Sequence, residues 1–401
     1  MGCFLPSSLT SWGIVVVEII ILWFVLCFLS FGVLGLNFLL LKRAASKPWK
    51  LSINKDYSPR VSILVPTYNE SDVIRFKLEN LSKTKYPKDL AQIIVVDSKS
   101  DDRTVDIVKD FATQHPEVNI QVLEETERKG KSAALNLALK HCDGDVVLVS
   151  DADCFLPPDV LRKTLPFLAD PQVGAISGPK ILLNPKQSWV TKTEDAYLNS
   201  MNLMKLGESK VGSTLFFEGG FSAYRKEALE SFDPYNTGSD DCGTVISLVE
   251  KNSKAIFVPE ARFYTAFPIL WKEKADMKIR RANQLVRVIW TYIRLLFRGR
   301  IKGPKRVIIQ DSLSYVVGPL MFIALIPTTI LLLSSFPYFA LIFLVLLVPK
   351  VGSNFFEVIQ NYVVLVLSIF AAVFGKKFLV WKKPKDRALL KEDMLRQYGL
   401  I

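Results

Sequence analysis

Histidine is nearly absent from this chain: His115 and His141 are the only two in 401 residues. A histidine-rich metal centre is therefore excluded. Cysteine is scarce as well. Cys3, Cys27, Cys142, Cys154 and Cys242 are odd in number and show no paired spacing, which argues against a disulfide framework and for a reducing compartment. No internal repeat or low-complexity tract interrupts the chain, and the Gly-x4-Gly-Lys spacing of a phosphate-cradling P-loop is missing. Acidic residues are in deficit, 39 against 51 Lys and Arg, for a net charge of +12. No charge of either sign precedes Glu18.

What replaces charge at the start is a long apolar run. Between Gly13 and Leu41 the only charged residue is Glu18, and the run exceeds the roughly 20 residues that cross a bilayer core. A cleaved signal peptide would show a basic start and a shorter apolar core, so the pattern predicts a membrane anchor. Lys42, Arg43, Lys47 and Lys50 follow directly, which predicts a cytoplasmic location for the next domain. The basic excess does not point to nucleic acid, because it is concentrated late. From Lys272 to Arg306 twelve Lys or Arg face two acids, interleaved with Trp290, Tyr292 and Phe297 and preceded by Trp271. Such a stretch, just before another apolar region, reads as helices on an anionic leaflet. Three apolar runs then follow, Ser312–Ser335, Pro337–Val348 and Val358–Phe374, and the middle one is short for a crossing. The expected organisation is an anchor over 1–50, a catalytic domain over 51–268, basic interfacial helices over 269–308, a membrane region over 309–376 and a cytoplasmic tail over 377–401. The number of C-terminal spans, two or three, stays open at this point.

From Arg60 onward strands and helices alternate. Val61–Val65, Gln92–Val96, Asn119–Leu123 and Asp145–Val149 read as strands, and Ser71–Ser82, Thr104–Gln114 and Lys131–Lys140 as helices. That alternation predicts an α/β domain with a mostly parallel sheet, in which ligands bind beyond the carboxyl ends of the strands. Glu70, Asp97 and Asp151 all follow strand ends, so they can converge on one crevice.

Asp151-Ala-Asp153 can place carboxylate oxygens on one Mg²⁺ or Mn²⁺ and on a ribose, leaving other positions of the cation for phosphate oxygens and water. Asp97 can accept a hydrogen bond from a base, or cap the following helix as Asp101 and Asp102 equally could. Lys131 opens a helix after Gly130, where an ammonium and exposed amides can meet a diphosphate. Asp240-Asp241 is a carboxylate pair of the kind that takes a proton from an attacking hydroxyl.

Val61-Ser-Ile-Leu-Val-Pro-Thr-Tyr-Asn-Glu70, Val95-Val-Asp-Ser-Lys-Ser-Asp-Asp102, Gly130-Lys-Ser-Ala-Ala-Leu-Asn136 and Asp151-Ala-Asp153 resemble the nucleotide-binding half of family 2 glycosyltransferases. Phe216-Phe-Glu-Gly-Gly-Phe-Ser-Ala-Tyr-Arg225 and Gly238-Ser-Asp-Asp241 resemble the acceptor half. The set includes the membrane-embedded branch related to cellulose and hyaluronan synthases. The resemblance implies a GT-A fold (a Rossmann-like mixed sheet), a UDP- or GDP-sugar donor, a divalent cation and inversion at the anomeric carbon. It places Pro66, Thr67, Tyr68 and Glu70 around the nucleotide, Asp97 at the base, Asp153 on the metal and Asp151 beside metal, ribose and diphosphate. Lys131, Gln284 and Arg287 would meet the diphosphate. Asp241, supported by Asp240, would be the base, and Gly219 and Gly220 would line the acceptor site. Thr193-Glu194-Asp195 spells the family's base motif, but it precedes the glycine pair and so lies out of order.

Two departures stand out. Ser98-Lys99 replaces the frequent Asp-Gly, and the family's Gln-x-x-Arg-Trp reads Gln284-Leu-Val-Arg287-Val288. Trp290 is the nearest tryptophan and is the aromatic candidate at the acceptor site, two positions beyond the usual place. The expected acceptor is therefore a lipid-linked saccharide, a glycolipid or a growing polysaccharide. A polyprenyl phosphate and processive polymer synthesis remain as alternatives.

Overall fold

The computed structural model describes residues 7–375 and 390–401. The chain divides into two compact units. One holds the residues up to Leu39 together with those from Ile309, and the other holds Leu40–Ile308 with the C-terminal residues. Cys3 and the 377–389 stretch of the expected tail lie outside the described residues.

The first unit is helical, and among the described residues three helices, each lying largely in it, are long and apolar enough to cross a membrane. They are Val15–Ala45, Lys305–Ser335 and Phe355–Val373. The short middle run forms a 3₁₀ helix, Pro337–Leu347. At about 2.0 Å rise per residue it falls short of the ~30 Å hydrocarbon core. Inside this unit Trp23 donates its indole N–H to Thr329 at 2.8 Å, and Trp23, Leu26, Leu325 and Leu332 form a small buried cluster.

The second unit is α/β. Its strands are β1 (Val61–Thr67), β2 (Ala91–Asp97), β3 (Ile120–Glu124), β4 (Val146–Val149), β5 (Val173–Ser177), β6 (Lys180–Leu182), β7 (Ser222–Arg225), β8 (Lys254–Phe257) and β9 (Phe263–Thr265). Seven form one sheet in the order β3-β2-β1-β4-β7-β5-β8, while β6 and β9 pair separately. β1 to β4 run parallel; β1, β2 and β4 are largely apolar and buried on both faces, whereas β3 at the sheet edge is only partly buried. β7 is antiparallel to both its neighbours, which makes the sheet mixed. The sheet core, including Ile63, Val65, Val95, Leu148, Ile176 and Ala223, is almost solvent-free.

Register determines what meets at the carboxyl edge. Thr67 lies opposite Asp97, Leu64 opposite Val149, and Val149 opposite Ser222. The ends of β1, β2 and β4 therefore share one edge with the start of the reversed strand β7, which brings Gly219-Gly220 there. The helix expected from Ser71 begins at Ile74. Asp102 and Glu70 capture the backbone amides of Ser71, Val73 and Ile74 in a turn first.

Candidate active site

At the edge of β1 and β2 a polar latch shapes the expected nucleotide pocket. Asp97, 2% exposed, accepts from Thr67 Oγ1 at 3.0 Å and from the Ser100 amide and hydroxyl at 2.7 and 2.6 Å. Thr104 accepts from the Glu70 amide at 2.8 Å, and Asn69 exchanges hydrogen bonds with Asp101. Pro66 and Tyr68 stay half-buried beside this latch, and the Arg128 guanidinium lies 3.5 Å from the Tyr68 ring centroid. Lys99, which stands where the family often has glycine, takes a left-handed φ of 59°.

Beyond β4 the carboxylates gather. Lys131 Nζ lies 2.7 Å from Asp151 and 2.8 Å from Asp240, so one ammonium joins the Asp151-Ala-Asp153 loop to the Asp240-Asp241 pair. Burial works against the charge on Lys131, but Asp151, Asp240 and Asp241 outweigh it and hold its pKa well above the usual lysine range. Burial pushes Asp240 up to about 6; Lys131 opposes the rise and Asp241 adds to it. Asp241 is the N-cap of the helix Cys242–Glu250 and accepts from the Cys242 amide at 2.6 Å and from Ser239 Oγ. The loop before it is stapled by Asp233, whose carboxylate accepts from Thr237 and from the Gly238 amide at 2.8 Å.

Asp151, Asp153 and Cys154 bring possible ligand atoms within 4.8 Å of one another. A hard Mg²⁺ or Mn²⁺ prefers oxygen donors. Burial pushes the Cys154 thiol well above the usual range, and its Sγ lies 3.6 Å from Asp153 Oδ1. The two carboxylates fit a divalent cation, and the thiol serves as their neighbour. Gly219 and Gly220 form the floor here. A Cβ on Gly219 would meet Lys131 Nζ at 2.7 Å and Asp151 Oδ2 at 2.9 Å, and one on Gly220 would meet the Phe263 ring at 2.1 Å.

The long helix Trp271–Phe297 supplies the remaining expected residues. Gln284 donates to the Gly238 carbonyl, and Arg287 donates to the Asn236 carbonyl at 2.9 Å, so both hold the Asp233–Ser239 loop. Arg280 faces the carboxylates instead: burial and Arg281 pull its pKa down to about 10, while Asp240, Asp151 and Asp241 act in the opposite sense. Val288 is fully buried where the family's tryptophan would stand, and Trp290 is 65% exposed. The out-of-order Glu194 is buried against Lys274 at 3.4 Å.

Sequence reasoning missed the supports beneath the site. Lys77, without solvent exposure, donates to Ser150 Oγ at 2.7 Å and to the Cys154 carbonyl at 2.5 Å. Glu218 bridges Lys180 at 2.9 Å and Lys205 at 2.8 Å, and those cations with Arg281 hold it well below the usual carboxylate range despite burial. Lys77 carried a legible signal, because it shares the spacing of Ile74, Leu78 and Leu81 on the apolar face of its helix.

Residues 59–284 match the family described as glycosyltransferase like family 2. A solved mannosyltransferase from Pyrobaculum calidifontis, in complex with GDP-Man and Mn²⁺, is similar at a TM-score of 0.75 and 29% identity, covering 90% of this chain and 100% of that one. The beta-monoglucosyldiacylglycerol synthase of Synechocystis sp. is 30% identical over 229 residues, 54% of this chain and 47% of the relative. An N-acetylglucosaminyltransferase of Rhizobium meliloti is 26% identical over 275 residues, 66% of this chain and 63% of the relative. The chain thus spans between about half and just under two thirds of these curated relatives' length.

Proposed function

The chain belongs to glycosyltransferase like family 2, and we propose that it is a membrane-anchored, inverting enzyme that moves a sugar from a nucleoside-diphospho-sugar to a hydroxyl of a lipid-borne acceptor. The observation that carries this reading is the joining of Asp151 to Asp240 through Lys131, at 2.7 and 2.8 Å. Donor-side and acceptor-side carboxylates belong to one cluster, as a single displacement requires.

In this reading Asp97 and the Pro66–Glu70 segment hold the nucleotide. Lys131 and Arg280 offer positive charge to the diphosphate, with Gln284 and Arg287 shaping the loop that presents Asp240-Asp241. A divalent cation held by Asp151 and Asp153 would supply further positive charge for the departing diphosphate. Asp241 takes the acceptor's proton as its oxygen attacks. The Ser239 hydroxyl and the Cys242 amide orient that carboxylate. GDP-mannose is the first donor to test, because the solved relative bound to it is matched over 100% of its chain. The acceptor is lipid-borne rather than a long polymer: Val288 stands in place of the motif tryptophan, and a curated relative is named for a glycolipid synthesis.

Packing supports one sidedness. Residues 390–401 share a core with the α/β sheet, so they lie on the same side of the membrane as the catalytic domain. The two candidate spans after that domain, Lys305–Ser335 and Phe355–Val373, satisfy this requirement. The basic residues after the first span support a cytoplasmic location for that side, and the basic composition of the helix Trp271–Phe297 supports a place at headgroup level. The test is transfer in lipid vesicles with Mn²⁺ or Mg²⁺ across a panel of nucleotide sugars, read by mass spectrometry of the lipid product. Transfer by the wild type that falls at least about 100-fold in Asp241→Asn supports the reading. Transfer unaffected by that substitution overturns the hydroxyl acceptor.

A further inference from the structure

The short helix Glu392–Gln397 is closed by Gly399, whose φ is +64°. The Leu400 amide donates back to the Leu395 carbonyl at 2.9 Å and the Gly399 amide to Arg396 at 2.9 Å. This is a left-handed helix stop in which an apolar residue after the glycine packs on one inside the helix. Here those residues are Leu400 and Leu395, 1% and 0% exposed. With Leu390 and Ile401 they join the same buried cluster as Leu78, Leu81, Phe155 and Leu156.

One side chain links this segment to the metal loop. Asn80, 1% exposed, donates through Nδ2 to the Leu400 carbonyl at 2.7 Å and to the Leu156 carbonyl at 2.8 Å. Its Oδ1 accepts from the Leu156 amide at 2.7 Å. Three residues earlier on the same helix, Lys77 holds Ser150 and Cys154. A second route runs through Tyr398, whose ring lies 5.3 Å from that of Tyr264. The Tyr264 backbone in turn exchanges two 2.8 Å hydrogen bonds with Phe155. Segment 150–156, which carries Asp151 and Asp153, is thus held from below by one helix and one strand, and the C-terminal segment touches both.

The geometry points to the Glu392–Ile401 segment as a clamp that positions the metal-binding loop, with Asn80 as its coupling residue. Docking of the segment fixes Leu156 and Phe155 and so sets the spacing of the Asp151 and Asp153 carboxylates. Undocking lets the loop open while the sheet stays folded. The clamp rests on the assignment of Asp151 and Asp153 to a divalent cation. It gives the chain a handle through which anything that captures the C-terminal segment lowers transfer.

Gly399 is the place to test it, because among the described residues no atom lies within 4 Å of a Cβ built there. Gly399→Val disfavours the left-handed turn, whereas Gly399→Asn tolerates it. Hydrogen exchange is measured on the full chain in lipid without metal, and Mn²⁺ binding by titration. In Gly399→Val, exchange across 150–156 rises about tenfold and the Mn²⁺ dissociation constant rises about three- to tenfold, while β1, β2 and β4 stay protected. Gly399→Asn restores both readouts. Asn80→Ala reproduces the loosening at Leu156 with the tail still protected. Unchanged exchange across 150–156 in Gly399→Val, or loss of protection throughout the sheet, overturns the clamp. Wild-type protein that neither binds Mn²⁺ nor transfers sugar overturns the functional reading instead.

Discussion

Lys131 is the cation on which the candidate site is built, and replacing it with methionine separates its electrostatic part from its bulk. Its ammonium lies 2.7 Å from Asp151 and 2.8 Å from Asp240. At an effective dielectric near 20, each contact corresponds to about 6 kcal/mol of Coulomb attraction, and in bulk water to about 1.5 kcal/mol. The side chains are 31%, 32% and 16% exposed, so solvent and desolvation reduce the net value strongly. Leaving Asp151, Asp240 and Asp241 without their cation should cost on the order of 2–3 kcal/mol of stability in metal-free buffer. The same substitution removes an internal competitor from the carboxylates. Mn²⁺ should then bind about tenfold more tightly, or ~1.4 kcal/mol, and should recover most of the lost stability. Transfer should nevertheless fall about 10- to 100-fold, because the diphosphate loses its lysine. Thermal unfolding with and without Mn²⁺, isothermal titration and single-turnover transfer measure the three terms. An equal loss of melting temperature with and without Mn²⁺, together with weaker Mn²⁺ binding, would refute the reasoning.

Other substitutions test separate parts of the structure. Gly220→Ala drives a Cβ into the buried Phe263 ring and should cost about 2–3 kcal/mol by thermal unfolding. Gly219→Ala meets the movable end of Lys131 and should keep its fold while losing transfer. Lys99→Gly relieves a left-handed φ of 59° and should stabilise the protein by about 0.5–1 kcal/mol in denaturant titration. Arg280→Ala should raise the KM for the nucleotide sugar about tenfold, whereas Arg287→Ala should chiefly lower the melting temperature by freeing the 233–239 loop. Glu208 is 1% exposed, and burial pushes it up to about 7, against the hydrogen bond from Thr214 and the charge of Lys205. Its unfolded value is 4.5, so the folded state binds the extra proton and stability falls as pH rises from about 4.5 to about 7. The loss levels off above pH 7 at up to about 3 kcal/mol. Glu208→Gln should flatten that slope in melting curves recorded between pH 5 and pH 8.

The sheet was readable because buried parallel strands are written as uninterrupted apolar runs, and Ile63–Val65, Ile93–Val96 and Val146–Val149 are such runs. The order of the acids was readable because Asp97 ends β2, Asp151 and Asp153 follow β4, and Asp240-Asp241 directly precedes a helix. Partners were harder to foresee. Gln284 and Arg287 have the spacing of a diphosphate-binding motif, but their helix turns them onto the carbonyls of Gly238 and Asn236. Lys77 shows its burial through its apolar-face spacing but not its partner, whereas Lys274 looks like a surface lysine until the fold brings Glu194 against it. The docking of Leu400 and Ile401 joins residues 320 positions apart in the case of Asn80 and Leu400, and no local periodicity encodes that.

Transfer of a sugar to a hydroxyl with Asp241 as base leaves its mark in the linkage of the product. Wild-type protein and Asp241→Asn in lipid vesicles are supplied with GDP-mannose and the other nucleotide sugars plus Mn²⁺, and the lipid product is isolated. Its bond to the sugar is then determined by mass spectrometry and mild acid treatment. The expected product is a single added sugar in an acid-stable glycosidic linkage of inverted configuration, formed by the wild type and lost in Asp241→Asn. An acid-labile sugar phosphate, formed equally well by both proteins, would contradict it.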